Sequence, residues 1–210
     1  MAQYKRKKVK KKKGFIASFF KLILIMSIMG AVVYFAVFVI APDFLHDKVD
    51  DIRRLQYPQK YSEYVEKYSD LYDVDENLVY AVIHTESHFE VKDKSSAGAM
   101  GLMQITSECF DFLKKNIPDD TTDYPDSALY NAETNIKFGT YFLGYLLERY
   151  DNREKTALAA YNAGFGCVDE WLQNPEYSSD GKNLDTIIYP ETSSYVDKVG
   201  KAKNMYQKLY

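Results

Sequence analysis

Residues 75–106 read DENLVYAVIHTESHFEVKDKSSAGAMGLMQIT. Asp75 is a helix-capping residue type, and the run behind it has helical periodicity, with Leu78, Ala81, Val82 and Thr85 on one side and Val79, Ile83 and Glu86 on another. The pattern predicts a buried helix ending near His88. The small residues of SSAGAMG (95–101) then predict a tight loop, and LMQITSECFDFLKKN (102–116) resumes a helical pattern.

Two histidines bracket Glu86, which raises the question of a metal site. Residues four apart on a helix differ by only about 40° in direction, so His84 and His88 share a face, whereas Glu86 lies about 200° from His84. The H-E-x-x-H zinc motif has its glutamate directly after the first histidine, a position held here by Thr85. The only other histidine is His46, so a third ligand is wanting. The sequence therefore predicts neither a metal nor another cofactor. Glu86 has a different use: at the end of a buried apolar run, desolvation raises a carboxyl pKa toward the neutral range that suits a general acid.

Outward from this stretch the patterns stay helical. Tyr57, Tyr61, Tyr64, Tyr68 and Tyr72 recur at steps of three and four, predicting one helix with an aromatic face against the core rather than a sugar-stacking platform. Residues 132–150, 154–164 and 189–209 read as further helices, and no strand alternation is evident. About 150 residues suffice for a real core, so the expected fold class is mostly α, one globular domain.

The N-terminal part is of another kind. Residues 1–41 contain no acid; eight Lys and Arg fall between Lys5 and Lys13, and Leu22–Ala41 is a run of twenty uncharged residues. As a helix that run spans roughly 30 Å, enough to cross a bilayer. A basic flank stays inside, which predicts a single-pass transmembrane anchor with a cytoplasmic N-terminus and everything after Ala41 outside. Val39-Ile40-Ala41 has the spacing of a cleavage site, but the run exceeds a usual signal core, and a retained anchor is the better reading. The expected organisation is a basic tail at 1–13, an anchor at 14–41, a stalk or short lead-in helix at 42–58 and a globular domain at 59–210. The formal charge of −3 hides an asymmetry: nine of the 27 basic residues precede Leu22, leaving 18 against 30 acids, a net −12 outside. Such a domain does not bind nucleic acid by charge. Cys109 and Cys167 both fall outside, where a disulfide is permitted but not required.

Four groups of residues occur in one order: Glu86-Ser87; Ser95-Ser96-Ala97-Gly98-Ala99-Met100-Gly101-Leu102-Met103-Gln104; Ala160-Tyr161-Asn162-Ala163-Gly164; and Pro190-Glu191-Thr192 with Tyr195. Together they resemble the motifs of the soluble lytic murein transglycosylase family, over roughly residues 59–210. Val91 and Ser96 stand where that family often has proline, and His88 where glycine is common. The resemblance implies a lysozyme-like fold behind the anchor and non-hydrolytic cleavage of the MurNAc–GlcNAc β-1,4 bond of peptidoglycan, leaving 1,6-anhydro ends. It makes Glu86 the catalytic acid and then base. Ser95 and Gln104 are implied to contact the substrate near the acid, and Met103 to form an apolar wall, with plain core packing as its other reading. Tyr161 is implied to bond Glu86 or the substrate, Asn162 to hold its turn, and Glu191 and Tyr195 to bind substrate. The implied partners are peptidoglycan glycan strands, the membrane, and proteins of the cell-wall machinery. The competing readings are a lysozyme-like hydrolase, with Glu191 as a second carboxylate, and a non-catalytic wall-binding scaffold.

Overall fold

The computed structural model describes residues 2–118 and 120–210, with side chains for 18–38, 48–118 and 120–210. The side chains of the basic run Lys5–Lys13, of Val39-Ile40-Ala41, of Pro42 and of His46 lie outside the described residues. The chain divides into two units, Met1–Gln56 and Tyr57–Tyr210.

In the first unit, helix α1 (Ala2–Phe35) passes through a π-helical turn, Ala36–Ile40, into α2 (Ala41–Gln56). The stretch Ser18–Phe38 has a mean hydropathy of 2.2 and none of it is buried, so its apolar side chains face outward as those of a lipid-facing helix do. The segment read as stalk or lead-in is thus helical as far as Gln56. Pro58 then disfavours helical backbone at Tyr57 and stops it.

In the second unit α4 (Glu76–Ser87) is the central element. Asp75 caps it by accepting a hydrogen bond from the Asn77 N–H at 2.9 Å. Leu78 to Ile83 are all buried, on every side of the helix, so α4 must be wrapped by others. Helix α9 (Pro190–Leu209), started by Pro190, packs along it, with α3 (Ser62–Tyr72) at its other side. Helix α6 (Ala132–Arg149) supports α3, α5 (Ser107–Asn116) and α7 (Glu154–Ala163), and α7 leads at once into α8 (Phe165–Gln173). A short 3-10 turn, Asp126–Tyr130, precedes α6. Among the described residues there is no strand, only the isolated bridges Lys94–Met100 and Met100–Ile105.

Three details differ from the sequence reading. The tyrosine stripe does not belong to one helix: Tyr61 is left-handed (φ 60°) and α3 starts after it, so Tyr57 precedes the helix, where it stacks on His84 at 4.5 Å and still packs on the core. Tyr61, Tyr64, Tyr68 and Tyr72 do pack on the core as expected. Helix α5 begins only at Ser107, because Thr106 caps it through the Cys109 N–H (3.2 Å) and residues 102–105 form a turn. Helix α8 was not foreseen; glycines on both sides of Phe165 mask its periodicity.

His88 ends α4 in the left-handed region (φ 50°), the conformation in which glycine avoids a Cβ penalty. We predict that His88→Gly raises stability by about 1 kcal/mol, read as a higher Tm in thermal unfolding. An unchanged or lower Tm would show that the ring's contact with His84, at 5.0 Å, outweighs the backbone strain.

Candidate active site

Glu86 sits in the last turn of α4. Ser87 ties that turn to the following loop: its buried hydroxyl donates to the Leu102 carbonyl at 2.8 Å. The loop is fixed a second time by Asn135 of α6, which is wholly buried. Its side-chain oxygen accepts from the Met103 N–H at 2.7 Å, and its amide donates to the carbonyls of Met100 and Leu129, both at 2.9 Å. Gly101 (φ 77°) allows this approach, since a Cβ there would overlap the Leu129 carbonyl and the Asn135 amide. The loop is thereby held against α4 and α6 at both ends of the GLMQ segment.

Burial lifts the Glu86 carboxyl from its ordinary 4.5 to about 7, and the nearby Tyr195 hydroxyl pulls it partly back. Among the described residues no second carboxylate contributes to that shift. Tyr195 is only 7% exposed, and its hydroxyl lacks a partner of ordinary hydrogen-bond geometry even though it bears on Glu86. That buried hydroxyl is therefore placed to tighten onto the acid. Burial, and then the Glu86 charge, hold the Tyr161 hydroxyl well above its usual range. The hydroxyl donates to the Met103 carbonyl at 2.8 Å, so the expected bond to Glu86 gives way to one that pins the loop.

A cleft of about 470 Å³ adjoins this acid. Gln104, Tyr161 and Asn162 line one end, and Phe112, Phe142 and Phe165 line the apolar part. Glu86 is not among the lining residues; Tyr161, whose hydroxyl feels the Glu86 charge, is, as is Glu108. Gln104 is left-handed (φ 50°), with its side-chain N–H donating to the Gly101 carbonyl at 2.9 Å. Asn162 accepts from the Thr192 hydroxyl at 2.8 Å, which joins the AYNAG turn to the start of α9. Glu191 is exposed in the first turn of α9, one helical turn before Tyr195 and so on the same face.

The site residues expected from the sequence thus fall into two sets. Tyr161 and Tyr195 lie within electrostatic reach of Glu86, Gln104 and Asn162 line the cleft with Tyr161, and Glu191 stands in the first turn of α9. Ser95 and Met103 stand apart. The Ser95 hydroxyl accepts from the Ala99 N–H at 3.0 Å and closes the small-residue loop. The Met103 side chain is 0% exposed and packs against Gly139, so it serves the core and not a cleft wall. Asn135 and Thr192 went unnoticed as supports; an asparagine between the apolar positions of α6 was the available signal. His84 is stacked between Tyr57 and His88, turned from Glu86 as the helical geometry requires. Cys109 and Cys167 are free thiols.

Comparison with known proteins places the chain in a family. The family model described as "Transglycosylase SLT domain" matches residues 63–184. The "Soluble lytic murein transglycosylase" of Salmonella typhimurium is 33% identical over 153 residues, 71% of this chain and 22% of that protein. The "Membrane-bound lytic murein transglycosylase C" of Cronobacter sakazakii is 30% identical, over 71% of this chain and 47% of that one. The crystal structure of the 70-kDa soluble lytic transglycosylase from Escherichia coli superposes with a TM-score of 0.66 at 28% identity, covering 77% of this chain and 26% of that one. The same enzyme is also known in complex with bulgecin A. The chain spans between about a fifth and a half of the length of these relatives. With a family model that covers more than half of its residues and a shared fold, this chain belongs to the SLT transglycosylase family.

Proposed function

We propose that the protein is a membrane-anchored peptidoglycan lytic transglycosylase that cleaves the MurNAc–GlcNAc β-1,4 bond without water. The observation that carries this reading is the Glu86 carboxyl in the last turn of α4, raised by burial to about 7 with no second carboxylate contributing to its shift, while the one carboxylate among the described residues that line the cleft is Glu108 of α5. Glycosidases that activate water or form a covalent intermediate use two. One carboxyl suffices when the sugar supplies its own nucleophile. Glu86 gives its proton to the glycosidic oxygen as the bond to the anomeric carbon breaks and oxocarbenium character develops. The resulting carboxylate then takes the proton of the MurNAc C6 hydroxyl while that oxygen bonds to the anomeric carbon. The acid is regenerated and the 1,6-anhydro ring forms. Tyr195 would hold the carboxyl and the incoming sugar, with Gln104 and Asn162 on the cleft side. Glu191 would bind substrate at the rim.

The acid-free N-terminus with its apolar helix, together with the relatives named as membrane-bound, supports an anchor at residues 14–41 behind a cytoplasmic tail at 1–13. Segment 42–58 would then lead to a catalytic domain at 59–210 on the outer face, close to the boundary at Gln56–Tyr57. Tethering concentrates the enzyme on wall strands within reach of the membrane and on any partners in the wall machinery.

Mass spectrometry of the soluble products from purified peptidoglycan tests the chemistry. Anhydro-muropeptides are expected, lighter by one water than hydrolysis products, both from the full chain in detergent and from residues 43–210 alone. Products with reducing ends would instead make it a hydrolase and direct attention to Glu191. An inactive 43–210 fragment beside an active full chain would show that the anchor takes part in catalysis.

A further inference from the structure

A second groove, of about 340 Å³, is lined by other residues of α6 than the cleft, and the function proposed above makes no use of it. Tyr72, Asp73, Tyr141, Tyr145, Glu148 and Asn152 line it. We propose that this groove binds an alkylammonium group, of the kind carried by a basic amino-acid side chain in a wall peptide.

Two helices end there. Helix α3 stops at Tyr72 and α6 at Arg149, so both carry the negative pole of their dipoles to the groove. Gly144 permits this convergence: a Cβ at that position would sit 2.9 Å from the Tyr72 carbonyl oxygen. Asp73 and Glu148 are exposed and add full charges of the same sign. No Lys or Arg lines the groove. The cations nearest in sequence are engaged elsewhere, Arg149 with Asp169, Arg153 with Asp151 and Lys137 with Asp120. The walls are therefore negative, with no cationic side chain among the lining residues.

Three tyrosines make the site suited to an organic cation rather than a bare metal ion. Tyr72 and Tyr141 meet edge-on at 5.3 Å, and the Tyr141 hydroxyl is committed to the Asn116 carbonyl at 2.6 Å, so its ring is held in place. Aromatic faces attract ammonium groups and accept the methylenes behind them. A divalent metal wants six or more oxygens, far more than two carboxylates and an amide. The negative field already reaches the ring: burial, then Tyr145 and Glu148, raise the Tyr141 hydroxyl above its usual value.

Tyr145 connects the groove with the chemistry. Its ring packs on Phe112 at 5.6 Å and Phe165 at 6.3 Å, and both of these line the main cleft. Groove and cleft thus lie on two sides of one aromatic cluster. A peptide extending roughly 3.3 Å per residue from a glycan in the cleft needs only a few residues to pass it. The source of the amine rests on the proposed function; binding itself does not.

The test is saturation-transfer NMR on the full chain in detergent micelles, with Nα-acetyl-lysinamide as probe and its Nε-acetylated form as control. The expected result is binding of the free amine with a Kd on the order of 1–10 mM. Affinity should fall about tenfold in the Asp73→Asn/Glu148→Gln double variant and be lost for the Nε-acetylated probe. Equal binding of both probes, or unchanged affinity in the double variant, overturns the proposal. Wall cleavage is measured on the same double variant, and its retention shows that the protein is folded. Failure of the wild type to release anhydro products would reject the proposed function and leave the binding result standing.

Discussion

Glu86→Gln is expected to lower the rate of anhydro-muropeptide release by at least about 10³-fold while leaving the fold intact, since the variant can neither donate nor accept the proton that both steps move. The same variant should also be more stable at alkaline pH. Because burial raises the folded pKa from 4.5 to about 7, the folded protein keeps a proton between those values that the unfolded chain has lost. Stability therefore falls as pH rises through that window, and above pH 7 the wild type bears the whole cost of a buried carboxylate. Replacing it by a neutral amide should recover roughly 2–3 kcal/mol at pH 8 and nothing below about pH 4.5, read by denaturant unfolding at the two pH values. The wild-type rate should decline above about pH 7 as the acid loses its proton. A Glu86→Gln enzyme that turns over normally would move the acid elsewhere. One that is inactive but gains no stability over the wild type at pH 8 would mean that Glu86 is solvated and the single-acid mechanism loses its basis.

Asn135→Leu is expected to be the most destabilising single change in the site's support. It removes one acceptor and two donor contacts at once, and leaves the Met103 N–H and the Leu129 carbonyl buried without partners, while the Met100 carbonyl keeps the Ile105 N–H at 3.1 Å. At about 1–3 kcal/mol for each of these orphaned groups, with some relief from loop movement, the loss should be roughly 3 kcal/mol. The activity of whatever remains folded should fall as well, because Gln104 and the Met103 carbonyl that anchors Tyr161 ride on this loop. Asn135→Asp keeps the acceptor for Met103 but opposes two carbonyls, so it should fall between wild type and Asn135→Leu. A loss below about 1 kcal/mol in Asn135→Leu would show that the loop is held from the α4 side by Ser87 alone.

Much of this molecule was legible in the order of its residues. The apolar N-terminal helix, the cap at Asp75, the buried run of α4 and the opposite directions of His84 and Glu86 all follow from local rules: residue hydropathy, cap chemistry and 3.6 residues per turn. Those rules hold whatever packs nearby, which is why the helices and the orientation of the acid could be read without coordinates. The four ordered motifs also pointed to the family and to Glu86.

Packing decided the rest, because burial and hydrogen-bond choice depend on segments far apart in the chain. The sequence left Met103 open between wall and core; α6 covers it completely. Tyr161 could have bonded the acid, yet a carbonyl brought in by Asn135 from 32 residues away receives its proton. Tyr57 shared the spacing of the tyrosine stripe, but a left-handed Tyr61 detached it and set it on His84. The rise of Glu86 to a pKa of about 7 is the most consequential of these outcomes. An apolar run announces that a helix will be buried, but only the elements closing around its last turn determine how much water the carboxyl keeps, and so whether it holds a proton near neutral pH.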